Sequence, residues 1–460
     1  MSLKHFQINH IESTSDLITN RAGLAPFHRY LEKTGLLKRL GNDFSSIKGS
    51  SKGLKVHDFF NQMICWLMDG TSRHISYFNE LKKDDAYGAT IETMESDMAS
   101  SYAIERMCDK FTKFHEPKMR DILLDYCISL MKIKTPAILE FSVDSMVMSN
   151  EYAKQQQGRN STYKTTYGYH PMQIVWNGLI LDGIFRSGEK PTNEISKTFD
   201  MIDRLVKRIR KEFGDSITMI FRLDGGYYDQ RIVNYFDDQN IAFILSGKMF
   251  NHVKEAAEAV QDEQWQEYQN GKVTWNVCDL GLKSKSWSRF YRGIYTQQMS
   301  NEEGQFILDF ARSSNVIITN IGVNPNVLKN LTKKSQKEWT QVNKIVSSHH
   351  GRGADELPHR ALKDLGFESL PFQQFNQNMV VYQCMVLTLA VFEGFKRNVL
   401  SDVISVKSYA STIRRIFFDI AGKICKHSNS ITLKLRESVI ERFHFSKIWE
   451  RCCAPPFKID

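Results

Sequence analysis

No two of the eight cysteines are spaced as Cys-x-x-Cys; the closest pair, Cys452 and Cys453, is adjacent. That pattern excludes the common structural zinc sites and argues against a disulfide framework. Most of the cysteines sit in apolar stretches such as MICWLM, the setting of reduced, buried thiols. The opening MSLKHFQINHIESTSD lacks the apolar core of a secretion signal. Apolar runs are short. The longest, around MVVYQCMVLTLAVF, is about 14 residues, too few for a bilayer span, and reads as a buried helix. Internal repeats and low-complexity tracts are absent. These absences lead to the expectation of a cytoplasmic globular protein with no membrane partner.

Acidic residues are also in deficit. The 460 residues carry a net charge of +9 and a pI near 8.9, with 42% hydrophobic and 25% charged residues. Such a chain buries a sizeable core, and its length suggests roughly two to four domains. The basic balance points to a polyanionic partner, nucleic acid first and a membrane surface second. No long basic helix with an aromatic apolar face supports the membrane.

Periodicity divides the chain into five segments. Residues 1–130 read as short helices, among them GLAPFHRYLEKTGLLKRLGND, VHDFFNQMICWLMDG and SSYAIERMCDKF, a set that suits a DNA-binding helical domain or a plain helical one. Residues 131–248 read as an α/β layer. AILEFSVDSMVM is a strand, and YHPMQIVWNGLILDGIFRSGEKP is a pair of strands joined at Asn177-Gly178. The helix NEISKTFDMIDRLVKRIRKEF, the strand SITMIFRLDGG, a helix from Tyr228 and the strand IAFILSGK follow. Residues 249–344 read as a β-rich insertion, 345–400 return to helix, and 401–460 form a basic segment whose ITLKLRESVIERFHF alternates like a half-exposed strand.

Two strands of the α/β layer each carry one aspartate in apolar surroundings: Asp144 in FSVDSMV and Asp224 in FRLDGG. An Asp-Gly-Gly turn explains the second locally. A carboxylate on a core strand is nevertheless costly unless paired, hydrogen-bonded or bound to a cation. Neighbouring strands would bring the two together, and paired carboxylates suit Mg²⁺, which takes oxygen ligands. A third acid would complete a two-metal site for in-line phosphoryl displacement. Glu356 in HHGRGADELPHRALK is the candidate. Arg352 and Lys363 stand four and seven residues away on the same predicted helix face, an arrangement equally expected of a solvated face.

With these motifs in place the chain resembles the DDE transposases of bacterial insertion sequences, in the group with a Tyr–Arg–Glu–Lys signature and a β-rich insertion. Arg352, Glu356 and Lys363 fall on the signature spacing, and His349 stands where the family has Tyr. VDSMV and FRLDGGYYD resemble the two aspartate motifs. The resemblance implies an RNase H-like mixed-sheet core, interrupted by the insertion and flanked by the helical and basic segments. It implies catalysis by Asp144, Asp224 and Glu356 with two Mg²⁺ ions, Mn²⁺ substituting, and DNA contacts from Arg352, Lys363 and His349. The substrates would be double-stranded DNA, at terminal inverted repeats and at a target, cut and joined by a homodimer. Hairpin chemistry in related elements needs an extruded base, for which Trp265, Trp275 and Trp287 are stacking candidates, core packing being the alternative. Rival readings are an RNase H-like nuclease without strand transfer and an inactive, domesticated DNA-binding protein.

Overall fold

The structure is a computed structural model and describes residues 8, 10–50, 52–191, 194–283, 287, 289–308, 311–351, 353, 356–366, 368–427 and 430–459. Two compact units emerge: residues 1–107 with 395–458, and residues 108–394. The boundaries therefore run differently from the five expected segments. The two ends of the chain share one unit, and residues 108–130 belong to the other.

In the first unit, helices Leu24–Lys33, Leu36–Asp43 and Val56–Asp69 form around an apolar set that includes Phe27, Leu31, Leu40, Phe60 and Ile64. The helix Val56–Asp69 stops at Gly70, whose φ of 64° is the left-handed geometry glycine tolerates. Arg414 from the far end of the sequence donates to the last carbonyls of that helix, Nε to Met68 O at 2.8 Å and Nη2 to Leu67 O at 2.5 Å. A side chain at position 70 would collide with its guanidinium. The C-terminal segment also contributes a hairpin, Gly422–His427 with Ser430–Leu435, paired antiparallel to Leu17–Thr19. The alternating stretch is thus a strand only to Leu435 and a helix over Glu437–Phe443. Some of its basic charge serves the fold: Lys447 and Arg451 both hold Asp402, and Lys423 holds Asp16.

The second unit is built on one nine-stranded sheet. Its strands are β1 (Ile138–Ser145), β2 (Met172–Trp176), β3 (Leu179–Ile184), β4 (Thr218–Leu223), β5 (Ala242–Ser246), β6 (Gln266–Asn270), β7 (Val273–Leu282), β8 (Tyr291–Gln298) and β9 (Ser314–Thr319). The order across the sheet is β6-β7-β8-β9-β5-β4-β1-β2-β3. Strands β2 and β3 form the expected hairpin; Asn177 and Gly178 take φ of 46° and 82°, the two positive values a tight primed turn requires. Strands β1, β4 and β5 are mutually parallel. Parallel neighbours need crossovers, which are supplied by α2 (Ile195–Phe213) between β3 and β4 and by α3 (Gln230–Asp238) between β4 and β5. The sub-order β3-β2-β1-β4-β5, with β2 antiparallel to both of its neighbours, is the RNase H-like core.

The described strands of the insertion all join this sheet. Strand β9 pairs antiparallel with β5, and β8, β7 and β6 follow outward. It thereby covers the β5 edge, which would otherwise offer unpaired backbone groups. A buried polar cluster fastens the join. Asp237 at the end of α3 accepts from Asn320 Nδ2 at 3.0 Å, Asn324 Nδ2 at 3.2 Å and Tyr291 Oη at 2.6 Å.

Both sheet faces are covered. On one, α1 (Glu116–Ile133) and α2 clasp Asp182 of β3 through Arg120, at 2.6 and 2.7 Å, and Arg204, at 2.8 Å. Burial raises the Asp182 carboxyl, but the two guanidiniums outweigh it and hold it below its usual range. After α4 (Asn251–Glu258) and the inserted strands, α5 (Lys333–Trp339) and α6 (Val342–His350) pack Trp339, Ile345 and Val346 onto Ile220, Ala242 and Ile244 on the other face. The chain then continues through α7 (Glu356–Leu365) to α8 (Phe375–Phe395). The helical run Phe375–Leu400 is long and apolar enough to cross a membrane by length and composition, yet its most apolar window is wholly buried in the protein. Six of the eight cysteines are buried, Cys425 is half-buried and Cys453 is exposed.

Candidate active site

The two aspartates meet through strand register. Strands β1 and β4 pair in parallel with Val143 opposite Leu223, so the next residues along each strand are Asp144 and Asp224. Parallel neighbours lie about 4.8 Å apart. Alternation puts Leu139, Phe141 and Val143 with Met219, Phe221 and Leu223 on one face, where Phe141 and Phe221 pack at 5.1 Å. The acids fall on the opposite face, with Glu140, Ser142 and Arg222. They sit at the carboxyl ends of the parallel strands, where open α/β sheets bind ligands.

The Asp-Gly-Gly turn is also real. Asp224 Oδ1 accepts the Gly226 N–H at 2.8 Å and caps the short helix Gly225–Tyr227. Neither glycine has positive φ. The turn and the acid site are therefore compatible uses of one residue.

Helix α6 is fixed against this face just before Glu356. Ser348 Oγ donates to Glu140 Oε2 at 2.9 Å, and Arg222 Nη1 donates to the Ser348 carbonyl at 3.3 Å. His349, at the family's Tyr position, places Nε2 2.8 Å from Ser246 Oγ at the end of β5. Its neighbour His350 lies against Trp275 at 4.6 Å and Tyr268 at 5.5 Å. Glu356 opens α7 as an exposed residue. One turn on, His359 Nδ1 lies 3.9 Å from Asp144 Oδ2. Burial, then Lys363 and Lys164, push its imidazole down to about 4, so at neutral pH this is a neutral ring beside a carboxylate. Lys363 pairs with Glu368. Arg352 lies outside the described residues.

The three acids share an environment. The phenol of Tyr163 is raised by burial and by Asp144, Asp224 and Glu356, in that order. As oxygen donors on rigid strands, Asp144 and Asp224 fit a hard divalent cation. Among the described residues no three His, Cys, Asp or Glu side chains close into a ready-made cation site. Of the tryptophans, Trp287 is 7% exposed between Tyr228 and Tyr291 and offers no face to a base. Trp275 is partly buried against the core, and Trp265 is half-buried against Tyr295. Sequence reasoning missed His359 and Tyr163. His359 was visible three residues past Glu356; nothing local tied Tyr163 to the acids.

A mixed sheet of this strand order, with two carboxylates side by side at the ends of its parallel strands, has the architecture of RNase H-like phosphoryl-transfer enzymes. The family model described as "Transposase DDE domain group 1" matches residues 9–454, and the chain belongs to that family. It is accordingly an enzyme of DNA transposition, cutting DNA and transferring strands, in a family that uses divalent metal ions. Among solved structures, the cryo-EM structure of the piggyBac transposase synaptic complex with hairpin DNA is similar at 11% identity and a TM-score of 0.37, covering 95% of this chain and 83% of that one. No curated protein matches.

Proposed function

We propose that Asp144, Asp224 and Glu356 are the catalytic acids and that they hold two Mg²⁺ ions, for which Mn²⁺ substitutes. The observation that carries this reading is the register of β1 and β4, which sets two carboxylates side by side on rigid strands. When bound, the ions supply an activated water or DNA 3′-hydroxyl and stabilise the leaving oxygen. The protein's part is positional. The strands fix the aspartates, and Ser348, Arg222 and the His349–Ser246 bond fix the helix that leads to Glu356. Arg352 and Lys363 contact phosphates beside the scissile bond, Lys363 exchanging Glu368 for phosphate. The substrates are the terminal inverted repeats of the element and a target duplex, and a dimer acts on the paired ends.

The test is cleavage of a DNA fragment carrying the gene's own flanks, with and without Mg²⁺, by wild-type and Asp224→Asn protein. Metal-dependent cuts at the flank ends that the variant cannot make are expected, together with joined products when a plasmid target is added. Wild-type cutting by Asp224→Asn sinks the assignment. Cuts without joined products turn the reading into a nuclease.

A further inference from the structure

Between β1 and β2 the chain makes a small excursion whose tip is the turn Thr162–Thr166. The turn is tightly closed: Thr162 N donates to Thr166 O at 2.9 Å, Thr165 N donates to Thr162 O at 2.9 Å, and the hydroxyls of Thr162 and Thr166 lie 3.2 Å apart. Thr165 takes φ of 61°, so the turn reverses sharply and leaves Tyr163 and Lys164 at its exposed end. A large aromatic ring 59% exposed on so ordered a turn has no packing role that requires its exposure.

The turn lies beside the carboxyl end of β1, the end that carries Asp144. The Tyr163 ring lies 5.1 Å from the His170 ring. His170 Nε2 is 2.9 Å from Ser145 Oγ, and Ser145 follows Asp144 in β1. The Lys164 ammonium lies 5.7 Å from the Tyr163 ring centroid, so charge and aromatic face stand together at the tip of the turn. Tyr163 itself is felt by all three acids. An aromatic face and an ammonium beside a triad of carboxylates make a combination that holds a nucleic-acid strand: bases stack on the ring, and a phosphate takes the charge.

We propose that the Thr162–Thr166 turn is a substrate clamp, in which Tyr163 stacks on a base next to the scissile phosphate and Lys164 binds the adjoining phosphate. The clamp rests on the catalytic reading above and names the residues that hold the strand against the acids. It also assigns stacking to a side chain already open to solvent, which Trp287 is not.

The experiment measures binding of a fluorescein-labelled 30-bp duplex, ending at the gene's flank, by anisotropy without divalent metal and across a salt series. Wild-type, Tyr163→Ala, Tyr163→Phe and Lys164→Ala proteins are compared. Removing the ring is expected to weaken binding about tenfold, with Tyr163→Phe near wild type, because stacking uses the ring and not the hydroxyl. Lys164→Ala is expected to reduce the slope of log K against log salt by about 0.9, one phosphate contact. Wild-type affinity in Tyr163→Ala overturns the clamp, whatever Lys164→Ala does. Failure of the catalytic reading shows separately, as flank cleavage by Asp224→Asn or none by wild type, and leaves the binding comparison readable.

Discussion

Replacing Asn320 with alanine removes three hydrogen bonds at the join between the insertion and the core. Asn320 is fully buried just past β9. Its Nδ2 donates to Asp237 Oδ1 at 3.0 Å and to Ile241 O at 2.9 Å, and its Oδ1 accepts the Phe243 N–H at 3.0 Å. Each such bond contributes about 1 kcal/mol net, and partners left buried without a bond raise the loss. Asp237 keeps Asn324, Tyr291 and Arg289, so the carboxylate is not orphaned. The Phe243 amide and Ile241 carbonyl lose their side-chain partner. We expect a loss of about 3 kcal/mol, confined to the unit of residues 108–394. Because a two-unit chain need not unfold in one step, the informative assay is native-state hydrogen exchange at the amides of β5 and β9. Their protection should fall together, roughly 100-fold for that free energy. A drop under about fivefold, or one limited to Phe243, would refute the idea that this network fastens the inserted strands to the catalytic sheet.

Other perturbations separate structure from chemistry. Asp224→Asn keeps an oxygen acceptor for Gly226 N and should unfold like wild type, whereas Asp224→Ala loses the cap and about 1 kcal/mol in denaturant melts; both should fail to cleave DNA. A Cβ added to Gly183 would lie 2.7 Å from Tyr382 Oη, so Gly183→Ala should cost roughly 1–3 kcal/mol, and Tyr382→Phe in the same chain should recover part of it. Burial pushes His28 down to about 4, against partial opposition from Glu92 and Glu32. The unfolded imidazole takes a proton near 6.5 and the folded one resists it, so this contribution is complete above that pH and is lost as pH falls toward 4. Denaturant titrations from pH 8 to 4 should show less loss across that window in His28→Leu than in wild type; equal loss would rule His28 out as its source.

Much of the layout was legible in local sequence. Asn177-Gly178 fixes a hairpin because both residues tolerate positive φ. The apolar repeat over Ile195–Phe213 fixes a helix because its buried residues, Met201, Ile202, Leu205, Val206 and Ile209, recur at helical spacing. Apolar strands that run into Asp144 and Asp224 marked both as candidate site residues, since a carboxylate there is costly without a purpose. The insertion was visible as β-like texture.

Only the tertiary structure decided how these pieces meet. The aspartates are 80 residues apart, and it is the pairing of Val143 with Leu223 that makes them neighbours; a slip of one residue would turn one of them to the opposite face. The strands of the insertion were free, by their own pattern, to form a separate sheet, and the pairing of β9 with β5 and the Asp237 cluster joined them to the core. The chain ends looked like two segments, yet Arg414 caps a helix that ends at Asp69. Tyr163 and His359 carried no local mark because what distinguishes them is their distance from acids on other elements. Secondary structure follows from periods and turn residues within a few positions. Register, the partner of each edge and the neighbours of each charge are set by contacts across long stretches of chain, which no local pattern contains.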